Sequence, residues 1–455
     1  MLSSDKLINQ KQIANKIKAR VSEAINGQIT FERIHVSFFP RPQVVVQQCR
    51  FSIPETIKGT VVSLSIYPKL LPLIVGKFRN SGITLNTPDI EIYLNQKPRS
   101  EDNHLNSFSL GTVEEKVGAV FGVILSKTPG LRVRLKNARL NIFKEKKPAF
   151  WLQDINAGIN VLKDHISLDM ECDTSICKNI SLKGAVHLYK DKFLLSIINL
   201  KLEYPQLDLS GKLDIHRTLP STPQKVNLEL TGTDVDVVST RKAALDLAGE
   251  IPVVNELFKI VKGGNVPHIQ LISHGKSLED LGKLENITIK SNITDGDIFV
   301  PEVDLDLTDV KGDVTISKGV LKGKNLKAHM GNSKCLDGSL KLGLEGKNAP
   351  FHLDLTLEAD LSQLHPILKR VVHNKAFIKE NSLVDNVTGR ATGRLVLGES
   401  FASINVFVDI SQFNLSANYH RLPHPLKINS GQYFLKGNTT AITNASGNMG
   451  DSTFT

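Results

Sequence analysis

After Gly27 and for most of its length the chain repeats one pattern, an apolar residue followed by a polar one. Val62, Leu64 and Ile66 alternate with Ser63, Ser65 and Tyr67, and Ile90, Ile92 and Leu94 with Glu91 and Tyr93. Leu131, Val133 and Leu135 alternate with Arg132, Arg134 and Lys136. The same period returns at Val226/Leu228/Leu230, Val303/Leu305/Leu307, Leu340/Leu342/Leu344, Leu353/Leu355/Leu357 and Ile404/Val406/Val408/Ile410. Successive side chains of a strand point to opposite faces, so each run makes one apolar face and one polar face. The pattern predicts antiparallel sheet with one face wet.

Four segments depart from that period. Ile13, Ile17, Val21 and Ile25 recur every four residues among Lys6, Lys11, Lys16, Lys18 and Arg20, which predicts an amphipathic helix over 5–25 stopped at Asn26-Gly27. Such a helix lies on a membrane surface or caps a sheet. Thr112 and Glu115 stand in capping-box spacing and predict a helix over 112–127. Helical patterns over 239–262 and 360–380 carry Pro252 and Pro366, each marking a kink or boundary.

Glycine turns punctuate the second half. Ile316-Ser-Lys-Gly319, Leu321-Lys-Gly323 and Gly331-Asn-Ser333 resemble Ile428-Asn-Ser-Gly431, Leu435-Lys-Gly437 and Gly450-Asp-Ser452. The second copy stops at Thr455, where the first continues into Ser339–Leu344. The expectation is a repeat region interrupted before its last strand.

Composition narrows the chemistry more than it defines it. The chain has 455 residues, 40% of them hydrophobic, and a formal net charge of +10. That balance suits an anionic surface or a merely solvated exterior, because Lys and Arg are spread along the chain. Basic residues are not interleaved with stacking aromatics, so no nucleic-acid partner is expected. No G-x-S-x-G, H-E-x-x-H or G-x-x-x-x-G-K-[ST] motif occurs, and an enzyme is not expected. Cys49, Cys172, Cys177 and Cys335 contain no C-x-x-C pair, so neither a metal nor another cofactor is expected. Cys172 and Cys177 suit either a small-loop disulfide or free thiols. Asp304, Asp306, Asp309 and Asp354 alternate with apolar neighbours, as a solvated strand face requires. No stretch approaches about 18 consecutive apolar residues.

The stretch Ile29–Phe51 sets two prolines and two aromatics, Phe38-Phe39-Pro40-Arg41-Pro42, between two strand-like runs. Prolines there remove ladder donors and stiffen the corner. The order is specific as an ensemble. Gly27 ends a helix, a strand runs to Phe39-Pro40-x-Pro42, and Val44-Val45-Val46 follows. Leu70-Leu71-Pro72-Leu73 and Gly82-Ile83-Thr-Leu85-x-x-Pro88-Asp89-Ile90 complete it. This resembles the start of the AsmA family of Gram-negative cell envelopes, best over 20–95 and again over 295–455.

The resemblance implies a mostly β fold, an elongated twisted antiparallel sheet forming an open groove, with an N-terminal helix and a few helical insertions. It implies an amphipathic helix over 1–27 after a membrane anchor and a β-groove over 28–238. A helical insertion with connecting strands over 239–294 and a truncated β-repeat region over 295–455 complete the scheme. It also implies phospholipid transport or outer-membrane assembly from the periplasmic side of the inner membrane. The partners would be phospholipid acyl chains, the inner membrane, the outer membrane beyond it, and unidentified envelope proteins. Val62, Leu64, Ile66, Ile90, Ile92, Leu94, Leu131, Val133 and Leu135 would line the groove. Gly27, Phe39, Pro40, Pro42, Pro72 and Pro88 would carry the structural motif. A β-repeat scaffold that binds partners through open edges is the other reading. An apolar segment of about 20 residues is expected immediately upstream of the helix at 5–25. Period two alone fits an open groove and a closed sandwich equally well.

Overall fold

The period-two runs form strands. A computed structural model describes residues 28–37, 39, 41–53, 56–69, 80–94, 129–144, 147–174, 177–189, 192–216, 225–249, 252–300, 304–345, 349–371, 375–400, 403–437 and 439–455. The described chain is mostly β, in open sheet with few helices. It divides into two compact units, Met1–Leu228 with Gly275–Glu279 and Glu229–His274 with Asp280–Thr455. The helices expected over 5–25 and 112–127, and Gly27, Pro40 and Pro72, lie outside the described residues.

The first unit contains β1 (Gln28–Thr30), β2 (Arg33–Ser37), β3 (Gln43–Ile53), β4 (Ile57–Pro68), β5 (Asn80–Leu94) and β6 (Arg132–Lys144). β7 (Lys147–Val161), β8 (His165–Thr174), β9 (Ile180–Leu188), β10 (Lys192–Leu202) and β11 (Leu207–His216) follow. β1 and β2 both pair with β3, so together they make one broken edge strand. From β3 onward each strand pairs with the next. One pair corrects the all-antiparallel expectation: β5 and β6 run parallel, from Gly82 opposite Arg132 to Leu94 opposite Lys144. Parallel neighbours need a crossover of about a dozen residues or more, and the long connection after Leu94 supplies that length. Among the described residues no pairing joins β3 to β11, and the sheet stays open.

The division between units falls inside β12 (Lys225–Asp236). The second unit begins with α1 (Val237–Ala248) and α2 (Pro252–Ile260). Its strands are β13 (Val261–Gly275), β14 (Ile287–Val300), β15 (Leu305–Ser317), β16 (Val320–Met330), β17 (Ser333–Gly343) and β18 (Pro350–Asp360). After α3 (Leu361–Val371) and α4 (Lys375–Asn381) come β19 (Val384–Ser400), β20 (Ser403–Tyr419), β21 (Leu426–Lys436), β22 (Thr439–Met449) and β23 (Ser452–Phe454). Each strand from β13 to β23 pairs antiparallel with its successor.

Local chemistry explains the helix boundaries. Asp236 caps α1, accepting from the Ser239 backbone N–H at 2.9 Å. Pro252 opens α2, where its missing donor costs nothing. The single pattern read over 239–262 is therefore two helices, and its last residues, Val261 and Lys262, already belong to β13. Pro366 sits inside α3, which continues past it with one fewer backbone bond.

The repeat holds at one of its turns and fails at another. Gly331 and Gly450 have φ of 55° and 58° and turn the chain into β17 and β23. Both need the left-handed region that glycine enters freely. Gly319 is a turn between β15 and β16, whereas its supposed counterpart Gly431 lies within β21 against the Phe413 ring. Strand boundaries, unlike the short motifs, do not match.

The strands are kinked by design. Among the described residues thirteen non-glycine positions have positive φ, and ten of these are Asn or Asp, the types that tolerate the left-handed region. In the first unit they stand side by side. Gln48 on β3 lies opposite Val62, which lies opposite Thr87 on β5, and Asn137 and Asp154 continue the line on β6 and β7. Leu135 pairs with Ala157 but Ala138 with Ile155, so one extra residue is accommodated there. The inserted residue reverses the inward parity. Val46 and Cys49, Val61 and Leu64, and Leu135 and Ala138 each pack into one cluster at a spacing of three.

Asn137 tests this account. Its φ is 49°, and its N–H donates to Asn156 Oδ1 at 3.2 Å. Asn137→Gly keeps that donor and should change stability little, whereas Asn137→Val should cost about 1–2 kcal/mol. Urea unfolding of the two variants measures the difference. Equal stabilities would show that the kink is not a conformational constraint.

Candidate functional site

Because the kinks coincide in neighbouring strands, the apolar face never breaks. Val46, Leu64, Leu85, Leu135, Ala157, Met170, Leu182, Leu200 and Leu209 form a cross-strand row, one residue from each of β3 to β11. At about 4.8 Å per strand this row is roughly 40 Å long. Beside it run Val44, Ile66, Ile83, Val133, Ile159 and Leu168, then Gly184 and Ile197. On the other side of the kink Ile53, Ile57, Ile92, Ile142 and Phe150 make another row. No charged side chain interrupts any of these rows.

Among the described residues the face has a single layer beneath it and none above. Each apolar cluster of this unit joins strands that are consecutive in the sheet, such as β6 through β11 for the cluster around Ile155. A sandwich would instead join strands distant in the sheet, whose side chains interdigitate across a gap of about 10 Å. Leu64, Leu85, Leu135, Met170, Leu182, Leu200 and Leu209 consequently remain only partly buried.

Of the nine residues expected to line a groove, eight have described side chains, and all of these but Val62 lie on the apolar face. Leu64 packs on the Val46–Val61 cluster, and Ile66 lies opposite Val44 and Ile83. Ile90 lies between Gly59 and Leu140, and Ile92 between Ile57 and Ile142. Leu131 is buried immediately before β6 with Val161 and Ile166, and Val133 and Leu135 follow it on the same face. Leu94 ends β5 opposite Lys144, and its side chain is not among those described. Val62 is the exception. It is 49% exposed, and its neighbour Val61 packs in the cluster with Leu64 instead. Strict alternation fails there because Val62 sits on the kink line between Gln48 and Thr87. Ile198, 65% exposed beside the β10 irregularity, is displaced for the same reason.

The structural motif divides similarly. Phe39 is 87% exposed in the corner, where the Ser37 hydroxyl donates to its carbonyl at 2.9 Å. Pro42 leads into β3. Pro88 is fully buried within β5, and its missing donor is tolerated because it directly follows the kinked Thr87. The residues that sequence reasoning missed are the kink-line Asn and Asp and the apolar residues three positions from their partners. A signal existed: Leu135-Lys-Asn-Ala138 breaks the two-residue period at an asparagine.

The opposite face is polar and basic along β6, where Arg132, Arg134, Lys136 and Arg139 are exposed. The second unit has a comparable row of its own, Leu271, Ile289, Ile316, Leu321, Leu342 and Phe351. There the apolar face is partly covered, since Val254 and Leu257 of α2 pack on the Ile287–Ile316 cluster and Leu361 of α3 on the Phe413 cluster. Asp354 is a solvent-face residue, as expected, chelated by Arg394 through Nε and Nη2 at 2.8 and 2.6 Å. That hydrogen-bonded guanidinium holds its carboxyl below the usual range.

All four cysteines are free thiols, and Cys172 and Cys177 belong to the apolar cluster of β6–β11. Burial pushes both thiols above their ordinary value. The thiolate is the reacting form, so alkylation of the folded chain at pH 8 should be slow at these two sites and complete in urea. Mass mapping of iodoacetamide adducts reads this, and rapid native labelling of both would contradict the packing. Neither a family model, nor a curated protein, nor a solved structure matches this chain.

Proposed function

We propose that this chain is a non-enzymatic lipid-conduit protein of AsmA type, in which the apolar face of the first unit carries phospholipid acyl chains. The observation that supports this reading is the unbroken apolar row from Val46 to Leu209, with no second layer over it among the described residues. An apolar face gains about 0.8 kcal/mol for each acyl CH₂ it shields from water. A cross-strand row offers no specific docking point, which suits passage along the face better than tight retention of one molecule. The proposed setting is the periplasmic side of a Gram-negative inner membrane, with transfer toward the outer membrane. The resemblance of the first hundred residues supports that setting.

A scaffold reading draws on a different observation. Among the described pairings β23 covers Gly447–Met449 of β22, and a scaffold would use Thr439–Ser446 of that strand for strand addition. The broken edge made by β1 and β2 is blunted by comparison.

Ile92→Asp tests the conduit reading. The side chain lies in the row between Ile57 and Ile142 and is only partly buried by the described residues. The variant should keep its circular dichroism while phospholipid copurifying with it, quantified by mass spectrometry, falls several-fold. In a closed core the same charge would destabilise the fold by several kcal/mol, and there would be no lipid to lose. Wild-type protein that carries no phospholipid and takes none from liposomes would reject the conduit.

A further inference from the structure

We propose that Asp164, His165 and His187 form a transition-metal site of the zinc class on the polar face of the first unit. The inference is independent of the lipid reading, because Ile166 and Val186, the neighbours in register, turn to the apolar face and leave both histidines on the other side.

Three observations converge on it. His165 opens β8 and lies directly opposite His187 on β9, with rings stacked at 4.8 Å and 26°. Asp164, in the turn before β8, places Oδ1 2.9 Å from His165 Nδ1. The Leu162 N–H donates to the His165 carbonyl at 2.8 Å, and this bond fixes that turn against the strand. One ligand atom from each of the three residues lies within 4.8 Å of the others. Donors held at about 2.0–2.2 Å around a tetrahedral ion stand roughly 3.3–3.6 Å apart. Small side-chain rotations therefore close the set.

His187 supplies the independent sign that something is missing. Its Nδ1 is buried and has no hydrogen-bond partner, although buried polar atoms are normally satisfied. Tyr189 stacks on the same ring at 6.2 Å and offers only a π face. An ion bound there would give that side of the ring a role.

The donor set selects the ion. Two imidazoles and one carboxylate suit Zn²⁺, Co²⁺, Ni²⁺ or Cu²⁺, whereas Ca²⁺ and Mg²⁺ favour oxygen ligands. With no thiolate among the ligands, Cu(I) has little preference for the site. Three protein ligands leave a fourth position for water. The ion would tie the β7–β8 turn to β9 and hold three strands in register at that end of the sheet.

The test uses the full chain without an affinity tag, stripped of metal and titrated with Zn²⁺ by calorimetry and with Co²⁺ by visible absorption. We expect one ion per chain, a Co²⁺ spectrum of low coordination number, and a higher melting temperature with Zn²⁺. His165→Ala and His187→Ala should each weaken binding by about tenfold or more, and Asp164→Asn by less. His187→Gln keeps a polar atom in place of the ring and serves if the alanine variant loosens the sheet. Metal-free variants should retain the wild-type circular dichroism. A wild-type chain that binds no Zn²⁺ would overturn the proposal, as would a His165→Ala/His187→Gln double variant that binds it undiminished.

Discussion

The first unit depends on a phase relation between strands. A bulge in one strand reverses which of its residues face inward, and a reversal in one strand alone would set apolar residues against polar neighbours. Here Gln48, Thr87, Asn137 and Asp154 lie on one line, so neighbouring strands reverse together. Left-handed backbone costs little at Asn137 and Asp154, because Asn and Asp enter that region readily, whereas Gln48 and Thr87 are held there against their ordinary preference. Correlated kinks preserve a face that uncorrelated ones would destroy.

That constraint also shapes what the face can do. Synchronised bulges increase local twist without interrupting hydrogen bonding across the sheet, which is how a broad single layer curves. A flat sheet with one wet and one apolar face would bury that apolar face against a second layer. In the first unit the partly buried row residues cover one another instead, and the residues that are buried, such as Val46, Ala138, Val161 and Ile166, are buried within the same layer. The second unit meets the same demand differently, with Val254, Leu257 and Leu361 supplied by helices.

The sequence made the strands and the polar character of the outer face legible, because period two is a direct consequence of the pleat. The alternation of Arg132, Arg134 and Lys136 with Leu131, Val133 and Leu135 survives intact. Val62 was misplaced because its strand reverses at a point marked on β3 and β5, not by any residue of β4 itself. Thr87 and Gln48 are poor advertisements for left-handed backbone, unlike Asn137. The parallel pairing of β5 with β6 was likewise invisible, since periodicity carries no information about strand direction.

The two histidines illustrate the converse limit. His165 and His187 are 22 positions apart and share no recognisable ligand spacing, so neither draws notice in a linear reading. Pairing of β8 with β9 makes them direct neighbours, and the turn beginning at Leu162 adds a carboxylate. Antiparallel hairpins generate such juxtapositions wherever residue numbers in two strands sum to the register constant. His165 opposite His187 and Ile166 opposite Val186 share that sum, so the same register that keeps Ile166 on the apolar face assembles the polar cluster behind it. A one-residue slip of β9 would move His187 to the apolar face and dismantle both features together. The polar cluster and the apolar row are therefore two readings of one register, and an ion that fixed that register would reinforce the continuity of the face behind it.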